Sequence, residues 1–471
     1  MKIDRRILNP NPARQAYLPI LEVALSAVEP RGCTRQALRR SGDRLWVGER
    51  VYDLDRVRDV YVVGCGKAGA PMVQGVEDVL GDHITAGVVV VKEGHVAPTR
   101  QVRLVEAGHP LPDARSVMGA RAVVDLLQRV GERDLVIVLI SGGGSALLTL
   151  PAPGLALQDL QELTDLLLRC GATIEEINTL RKHCSAVKGG QLARQMAPAR
   201  VLGLVLSDVV GNSLATIASG PLVPDPTTFA DAWAVVEKYG LGDSLPPAVR
   251  EHLQAGLHGR GAETPKPGEA VFDQVQVEIV GDNALAAEGG AQAAAEAGYH
   301  AQVLTTFVEG EAREVAWVAA ALGKEVVRHA RPCPAPACLI LGGETTVTLR
   351  GGGTGGRNQE LALAAALALE GWSGITVVAL GTDGNDGPTD AAGGMVDGST
   401  AARARAAGLD PLFHLQDNDA YPLLQATDDL LITGPTNTNV NDLILILVER
   451  SEMVWPSERL GWVSDPLLGG R

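Results

Sequence analysis

Residues 135–146 read LVIVLISGGGSA and contain the transition that decides the fold. Six consecutive Leu, Val and Ile residues are typical of a strand covered on both faces, as in a parallel sheet. Ser141 and three glycines follow where such a strand ends and a helix begins. Glycines at this point allow successive backbone N–H groups to converge on an anion. The stretch therefore predicts an α/β fold with a binding loop at residues 141–145.

The same order of strand, polar turn and helix recurs along the chain. The apolar runs that precede the turns are Val60–Val63, Leu135–Ile140, Val201–Leu206, Val277–Val280, Leu339–Leu341, Thr376–Leu380 and Leu430–Thr433. Ligands gather at the carboxyl ends of parallel strands, so the turns are the expected site. At 471 residues the chain is too long for one core. We predict two domains, residues 1–245 and 246–471, with a polar linker at 256–270.

Composition and charge narrow the functional classes. A net charge of −15 argues against binding to nucleic-acid polymers, which requires clustered positive charge. No apolar run has the length of a membrane span, and the N-terminal residues 1–6 are not followed by a signal-peptide core. The six cysteines are scattered and form no zinc pattern. We therefore expect reduced thiols, no membrane partner and a cytoplasmic location, and the oligomeric state stays open, a homodimer included.

Helix signals lie between the strands. Asn11 and Pro12 predict an N-cap and a first-turn proline for a helix that reaches about Val28. Thr173 and Glu176 have the spacing of a capping box. These signals support the same α/β alternation.

The turn at residues 64–69, GCGKAG, contains a lysine. Its glycines match the G-x-G-x-x-G fingerprint of dinucleotide sites, a short pattern that also closes many strands onto helices. Lys67 argues against the dinucleotide interpretation, because it projects a cation beside the anion site. The loop at 141–145 is a stronger signal for phosphate. It is not a Walker A loop, because no G-x-x-x-x-G-K-[ST] occurs in the chain.

Charged residues in the second half suggest a second group of ligands. Arg357 follows a glycine-rich stretch and is suited to a phosphate or carboxylate, although a solvated loop arginine has the same pattern. Asp383, Asp386 and Asp390 follow a strand, and such oxygen ligands suit Mg²⁺, although Asx-turns would also account for them. Asp208 stands at another strand end, where it could act as a base or metal ligand.

Basic residues cluster at 181–188. Arg181, Lys182 and Lys188 could complement the dipole at a helix C-terminus. The more specific alternative is a site for a small acid. Cys184 follows His183 directly, and adjacent residues of a helix do not face each other, so a cysteine hydrolase is excluded.

Taken together, the motifs resemble the bacterial and animal glycerate 2-kinases. The resemblance rests on GCGKAG (64–69), LISGGGSALL (139–148), INTLRKHCSAVKGGQLA (177–193), LSDVVGN (206–212), IASGPLVPD (217–225), LGGETTVTLRGGGTGGRNQELAL (341–363) and ALGTDGNDGPTDAAGG (379–394). It covers nearly the whole chain, and the part from Gly342 to about Val448 is similar to the MOFRL-type C-terminal region. The resemblance implies ATP-dependent phosphorylation of D-glycerate to 2-phosphoglycerate with a divalent cation. It also implies a Rossmann-like N-terminal domain, a smaller α/β C-terminal domain and an active cleft between them.

These observations give one hypothesis for the roles of the candidate residues. The catalytic candidates are Lys67, Arg357 and Asp208, the two cations meeting one transferring phosphoryl group across the cleft. The nucleotide-binding candidates are Gly64, Gly66, Ser141, Gly142, Gly143, Gly144 and Ser145. The substrate-binding candidates are Arg181, Lys188 and Asp390, and the Mg²⁺ candidates are Asp208, Asp383 and Asp386. The alternatives are an NAD(P)H-dependent hydroxypyruvate reductase and a non-catalytic anion sensor.

Overall fold

The structure is a computed structural model that describes residue 3 and residues 12–450. The predicted N-cap Asn11 and the N-terminal residues without a signal-peptide core lie outside the described part. The helices are α1 (Pro12–Ala27), α2 (Pro30–Ala37), α3 (Gly69–Leu80), α4 (Ala114–Leu127), α5 (Gly144–Leu147), α6 (Leu157–Arg169), α7 (Ile174–His183), α8 (Gln191–Met196), α9 (Phe229–Lys238), α10 (Pro247–Leu257), α11 (Asn283–Glu296), α12 (Ala312–His329), α13 (Arg357–Ala368), α14 (Thr400–Ala406), α15 (Pro411–Gln416) and α16 (Ala420–Ala426).

Short 3₁₀ turns add Leu54–Arg56, Gly81–His83, Val210–Asn212, Ile217–Ser219 and Ala270–Phe272. The helix predicted from Pro12 is confirmed as α1, and the capping box of Thr173 and Glu176 opens α7. No helix in the described residues is long and apolar enough to cross a membrane.

The first large sheet is fully parallel. A small antiparallel sheet precedes it, with strands β1 (Arg39–Ser41), β2 (Arg44–Val47) and β3 (Arg50–Asp53). The parallel strands are β4 (Val60–Cys65), β5 (Ile84–Lys92), β6 (Val102–Ala107), β7 (Leu135–Ile140), β8 (Arg200–Leu206) and β9 (Val275–Gly281). Their spatial order is β6-β5-β4-β7-β8-β9, or 3-2-1-4-5-6 in chain order. The order reverses between β4 and β7, where ligands bind in open α/β sheets.

Burial explains why these strands are so apolar. Every residue of β4 and of β7 is buried, because both strands lie in the interior of the sheet and helices cover its faces. The apolar run at 135–140 is therefore confirmed as a central parallel strand.

The second large sheet is mixed. Its strands are β10 (His300–Val308), β11 (Ala337–Gly343), β12 (Ile375–Gly381), β13 (Gly393–Asp397), β14 (Leu430–Leu431) and β15 (Asp442–Val448). The order is β10-β11-β15-β12-β13-β14, and only the β10–β11 pair is parallel. β15, the last strand along the described chain, lies antiparallel between β11 and β12. As a result, the start of β15 lies beside the carboxyl ends of both neighbours.

The boundary between the sheets differs from the predicted one at residue 245. β9 pairs with β8 from Val201 to Leu206, with one register shift between Val205 and Leu206, so the first sheet continues to Gly281. The polar stretch 256–270 therefore connects α10 to β9. It lies within the part of the chain that forms the first large sheet (the first unit) and does not link it to the part that forms the second large sheet (the second unit). Composition suggested a linker because the stretch is rich in Gly and Pro, and composition carries no information on which strand pairs next.

The chain also crosses back at its N-terminal end. α1 packs along α11. The fully buried Arg14 of α1 forms ion pairs with Asp397, at 2.7 Å, and with Asp429, both from the second sheet. Leu204 of β8 and Leu445 of β15 belong to one hydrophobic cluster with residues of α1. The two sheets therefore share a core, and the first helix packs with the second unit.

Candidate active site

The carboxyl ends of five parallel strands place the candidate residues of the first half at one edge of the sheet. Lys67 follows β4, His95 follows β5 and His109 follows β6, while the glycine loop follows β7 and Asp208 follows β8. Parallel pairing in register aligns these ends, so residues far apart in sequence become neighbours.

Gly64 and Gly66 allow β4 to approach β7 closely. Their φ angles are 155° and 137°, a region that side chains rarely adopt. A Cβ atom on Gly64 would lie 2.1 Å from the carbonyl oxygen of Leu139, and one on Gly66 would lie 2.0 Å from Oγ of Ser141. Both predicted nucleotide-binding glycines thus have a packing role, which places the Lys67 turn directly against the glycine loop.

The glycine loop is crowded on three sides. A Cβ atom on Gly142 would lie 2.2 Å from Oδ2 of Asp208. Gly143 has a φ of 82°, and its Cβ would lie 2.8 Å from Cδ2 of His109. On Gly144, a Cβ would lie 2.8 Å from the Cβ of Ala218. Asp208 and His109 are therefore held against the backbone of the loop.

Two backbone donors of the loop remain unused. The N–H groups of Gly142 and Gly143 make no hydrogen bond to other described residues. The Ser141 hydroxyl, by contrast, accepts a hydrogen bond from the Ala68 N–H at 3.0 Å. The loop consequently has the unpaired donors that an anion requires.

Lys67 is fixed by its backbone. Its N–H donates to the Gly142 carbonyl at 2.9 Å, and its own carbonyl lies 3.3 Å from Nδ1 of His95. Its ammonium group has no hydrogen-bond or ion-pair partner in the described chain. Burial raises the pKa of Asp208, whereas the positive charge of Lys67 lowers it and the negative charge of Asp383 raises it again. Lys67 and Asp383, from different sheets, therefore both act on Asp208.

A cavity of about 230 Å³ opens beside the loop and contains two of the predicted substrate-binding residues. Gly143, Ser145, Arg181, Lys188 and His109 are among the residues that line it. Arg181 has no hydrogen-bond or ion-pair partner in the described chain, and burial lowers its pKa. An arginine is charged at any physiological pH, so this cation lacks a protein counter-ion and is suited to a small carboxylate.

Lys188 has a different position from the predicted one. Its ammonium donates to the carbonyl oxygens of Ser145, at 2.7 Å, and Leu148, at 3.0 Å. Burial and then the charge of Arg181 lower its pKa to about 7. Two of its three donors therefore hold the short helix α5, and the residue supports the loop as well as lining the cavity.

Ser145 begins a buried chain of hydroxyl groups. Its Oγ lies 2.9 Å from Oγ of Ser219, which donates to Oδ1 of Asn178 at 3.0 Å. That amide oxygen can only accept a hydrogen bond, so the Ser219 hydroxyl is its donor. Ser219 must then accept a hydrogen bond from the Ser145 hydroxyl. The lone pairs of Ser145 remain available, so this residue can accept a hydrogen bond from a ligand hydroxyl.

Two histidines at this edge, His95 and His109, were not among the residues predicted from the sequence. Burial, followed by the charges of Lys67, Lys92 and His95, lowers the pKa of His109 to about 4. Burial and the charge of Lys92 also lower the pKa of His95. The signal that could have identified both is their position after the carboxyl ends of β5 and β6. Four basic residues within mutual influence indicate a site for an anion with several charges.

Arg357 stands at the first turn of α13, in an acidic environment. Its guanidinium donates to Asp442 through Nε at 2.6 Å and through Nη2 at 3.0 Å, and Nη1 contacts Glu344 at 2.8 Å. Burial lowers the pKa of Arg357, but these two acids raise it above its ordinary value overall. Asp442 and Glu344 were not among the predicted site residues. β15 brings Asp442 to this point from the far end of the chain.

The three predicted aspartates of residues 383–390 separate in the structure. Asp386 accepts hydrogen bonds from the backbone N–H groups of Asn358 at 3.1 Å and Gln359 at 2.8 Å. Burial raises its pKa to about 6, against the lowering effect of these bonds. Both of its oxygens support the start of α13, which leaves Asp383 as the better metal candidate. Asp390 is exposed, and Tyr421 donates to it at 2.8 Å.

Some of the predicted site residues line one of two separate cavities. Arg357, Asp383 and Asp386 line a cavity of about 670 Å³ on the second sheet, apart from the one that Arg181 lines. Lys67 and Asp208 line neither of these two cavities, and Oδ2 of Asp208 lies 3.5 Å from Nδ2 of Asn439, on the segment before β15. Within residues 3 and 12–450, no three His, Cys, Asp or Glu side chains form a group that could hold a metal ion by themselves.

Comparison with known proteins gives consistent results. Residues 16–254 match the family model described as domain of unknown function DUF4147, and residues 337–442 match the MOFRL family. A D-glycerate 2-kinase of Thermotoga maritima is 44% identical, with coverage of 94% of this chain and 100% of that protein. A glycerate 2-kinase of Pyrococcus horikoshii is 41% identical over 92% of this chain and 97% of its own length. A protein of Agrobacterium vitis named putative hydroxypyruvate reductase is also 41% identical, over 93% of this chain and 94% of its own.

The fold is shared as well. The crystal structure of the glycerate kinase of Thermotoga maritima superposes with a TM-score of 0.83 at 43% identity, covering 93% of this chain and all of that one. Relatives above 40% identity over more than nine-tenths of both chains establish the family. The chain belongs to the glycerate 2-kinase family.

Proposed function

We propose that this protein transfers the γ-phosphoryl group of ATP to the 2-hydroxyl of D-glycerate and forms 2-phosphoglycerate. The observation that carries the proposal is that two cations without partners, Lys67 and Arg181, lie beside the glycine loop at one edge of the first sheet. Lys67 has no partner beside a loop with unused N–H donors, and Arg181 has none in the adjoining cavity. A phosphate chain and a small carboxylate are the two anions that this arrangement fits.

We propose a Rossmann-like arrangement for the first unit and an active cleft between the two units. The strand order 3-2-1-4-5-6 supports the first statement. The influence of Asp383 on Asp208 supports the second, because the two carboxylates belong to different sheets. We also place the enzyme in the cytoplasm, as its six cysteines are free thiols and both substrates are soluble metabolites.

The two predicted cations have unequal roles in this proposal. Lys67 contacts the transferring phosphoryl group directly, because its charge is unpaired and the loop holds it in place. Arg357 reaches the same group from the second sheet, but its charge is shared with Asp442 and Glu344. Phosphoryl transfer depends mainly on positioning and on neutralising the equatorial oxygens, which these two residues would provide.

The donor set fits a magnesium ion that ATP brings with it. Mg²⁺ usually binds one or two carboxylates together with phosphate oxygens and water. Asp208 and Asp383 are close enough for their charges to repel, and among described side chains only the 3.5 Å contact with Asn439 reaches the carboxylate of Asp208. We assign these two residues as ligands. When bound, the ion neutralises charge on the phosphates.

Arg181 orients the acceptor in this proposal. Its guanidinium would bind the carboxylate of D-glycerate, while Ser145 accepts a hydrogen bond from a substrate hydroxyl. Lys188 adds positive charge at the same cavity and holds α5 in place. Asp390 remains a predicted substrate contact with no role in this arrangement, because it pairs with Tyr421 and is exposed.

A second candidate function is reduction of hydroxypyruvate with NAD(P)H, which the name of the Agrobacterium vitis relative suggests. One experiment separates the two. The purified protein is incubated with D-glycerate, ATP and Mg²⁺, and in parallel with hydroxypyruvate and NADH. We expect ADP that depends on glycerate, and a 2-phosphoglycerate signal in ³¹P NMR. Loss of NADH absorbance without ADP formation would establish the reductase instead.

A further inference from the structure

We propose that His109 is a catalytic residue that accepts the proton of the attacking 2-hydroxyl group of glycerate. The inference rests on the proposed kinase function and goes beyond it, because it assigns a base. His109 was not a sequence candidate, and the earlier hypothesis gave this role or metal binding to Asp208.

His109 lies close to the other proposed substrate-binding residues. His109 lines the same cavity as Arg181 and Ser145. Its ring lies against the glycine loop, since a Cβ on Gly143 would be 2.8 Å from Cδ2 and 3.0 Å from Nε2. The same Cβ would lie 3.5 Å from Cγ of Lys67. The imidazole therefore lies against the glycine loop, near the side chain of Lys67, in the wall of the cavity that Arg181 also lines.

The ring nitrogens of His109 are available to a substrate. Neither ring nitrogen of His109 hydrogen-bonds to a residue in the described chain, and neither is among the fully buried polar atoms that lack a partner. Both nitrogens therefore remain accessible. His95, by comparison, has Nδ1 against the carbonyl of Lys67. A base must reach the substrate through an uncommitted lone pair, and His109 has one.

The other titratable groups of the cavity are less suited to act as the base. Its titratable residues are His109, Arg181 and Lys188. Arg181 stays protonated, and Lys188 uses two of its N–H donors to hold the backbone of α5, which directs its amine toward the protein. Asp208 lies on the other side of the loop, against Gly142, and is the better ligand for a metal ion. Of the two side chains that can be neutral in this cavity, His109 and Lys188, only His109 has no hydrogen bond to the described chain, so we assign the proton of the substrate hydroxyl to it.

The charges around His109 suit a base that is activated by the nucleotide. Burial and the positive charges of Lys67, Lys92 and His95 keep the free imidazole neutral, with a pKa of about 4. Arg181 and Lys188, from α7 and the segment after it, face the same cavity and act in the same direction. The negative charges of ATP would offset these cations and raise the pKa of His109. The base would thus become stronger only when the phosphoryl donor is bound.

The 2-hydroxyl oxygen of glycerate forms a bond to the γ-phosphorus of ATP while its proton moves to a nitrogen of His109. The bond from the γ-phosphorus to the β–γ bridging oxygen breaks, and its electron pair stays on ADP. The imidazolium then releases the proton to solvent when the products leave. No oxidant or further reactant is required.

The test compares His109→Ala and His109→Gln with the wild type, in steady-state assays with D-glycerate, ATP and Mg²⁺. We expect kcat to fall by about 10²–10³-fold in both, within the range for a lost general base. KM for ATP should stay within about 3-fold, because the residue acts on the acceptor. Added imidazole should restore part of the activity of His109→Ala but not of His109→Gln, where the larger side chain fills the space. His258→Gln, at an exposed helix end, is the matched control.

A measurement without turnover makes the test independent of activity. In protein labelled at histidine, the Hε1 signal of His109 should titrate below pH 5 in the free enzyme. It should titrate at higher pH with magnesium and a non-hydrolysable ATP analogue bound. Circular dichroism of the variants identifies any that fail to fold, and for these the NMR titration of the wild type still decides.

The outcomes separate this inference from the kinase proposal. If wild-type protein forms no 2-phosphoglycerate, the proposed function fails. If the wild type is active and both variants keep kcat within about 3-fold, or lose it without rescue by imidazole, His109 is not the base. A titration that the ATP analogue does not move would also overturn the inference. Asp208→Asn would then be the next variant to examine.

Discussion

The loop that carries Lys67 and the turn that carries Arg357 differ in how their charge is balanced. Lys67 follows a central parallel strand and its ammonium has no partner in the described chain. Arg357 begins α13 and is bound to Asp442 by two hydrogen bonds and to Glu344 by an ion pair. The sequence presented the two as equivalent cations after glycine-rich segments. The structure shows one cation open to a ligand and one already neutralised.

Burial is the first cause of the pKa shifts on both sides, but the charged neighbours differ. Around Lys67, burial and neighbouring cations lower the pKa values of His95 and His109. Around Arg357, burial raises the pKa values of Asp442 and Glu344. The charges that lower the pKa of His109 are all cations, whereas on the other side two acids, Asp442 and Glu344, share Arg357. We therefore expect Lys67 to act on the ligand and Arg357 to act on both ligand and fold.

The largest expected effect is that of Lys67→Ala. Removing an unpaired cation from the phosphoryl site should lower kcat by about 10²–10⁴-fold, as for a lost transition-state contact. The midpoint of thermal unfolding should hardly change, because the ammonium group has no partner to lose. Steady-state kinetics and calorimetry check both parts, with Lys324→Ala on α12 as the control. If kcat of the variant stays close to that of the wild type, Lys67 is a solvated loop charge without a role in catalysis.

Arg357→Ala should affect both activity and stability. It removes a cation and leaves Asp442, whose side chain is 5% exposed, without its counter-charge. We expect kcat to fall by about 10²-fold and the free energy of unfolding by about 2–3 kcal/mol, somewhat less than for a fully buried pair. Urea denaturation measures the second quantity. The double variant with Asp442→Asn should recover part of the stability, and a loss equal to the sum of the single losses would contradict this account.

Asp386→Asn should change how stability depends on pH. The pKa of Asp386 is about 6 in the folded protein and about 4 when the chain is unfolded, so the folded state holds this proton more tightly. The contribution of Asp386 therefore falls as pH rises from 4 to 6 and is constant above. Wild-type protein should lose about 2–3 kcal/mol over this range that the variant retains. Parallel pH dependences of the two proteins in urea denaturation would refute the shift.

Glu344→Gln should have the smallest effect and make Arg357 more like Lys67. The substitution removes the negative charge 2.8 Å from Nη1 of Arg357 while keeping the size of the side chain. Since exposed ion pairs contribute about 0.2–1 kcal/mol, KM for ATP should fall by about 2–5-fold with little change in kcat. Steady-state kinetics at fixed glycerate measure this, with Glu325→Gln on α12 as the control. A higher KM would mean that Glu344 itself helps to bind the nucleotide.

Much of the fold followed from local patterns. The apolar runs before polar turns became β4, β7, β8, β9, β11, β12 and β14, although the last is only two residues long. The pattern could not show that β9 joins the first sheet or that β15 inserts between β11 and β12. Both facts depend on pairing between distant segments, and a run such as Asp442–Val448 has no feature that names its partner.

The candidate site divides in the same way. Lys67, the glycine loop and Arg181 were identified because glycine turns and basic clusters are visible in a few adjacent residues. His109, Glu344 and Asp442 were missed because each is ordinary in its local context and acquires its role from neighbours on other strands. Asp386 was predicted as a Mg²⁺ ligand from its place after a strand, and the sequence did not show that both of its oxygens accept hydrogen bonds from the start of α13.

By itself, the sequence determined the α/β class and the positions of the glycine loop after β7 and of the lysine turn after β4, because these depend on hydrophobic period and glycine geometry over short stretches. Only the tertiary structure decided which charges are unpaired. Arg181 and Lys67 lack partners while Arg357 has two, and His109 is a neutral base among cations. Such differences arise from burial and from distances between residues hundreds of positions apart, and these are fixed only when the chain folds.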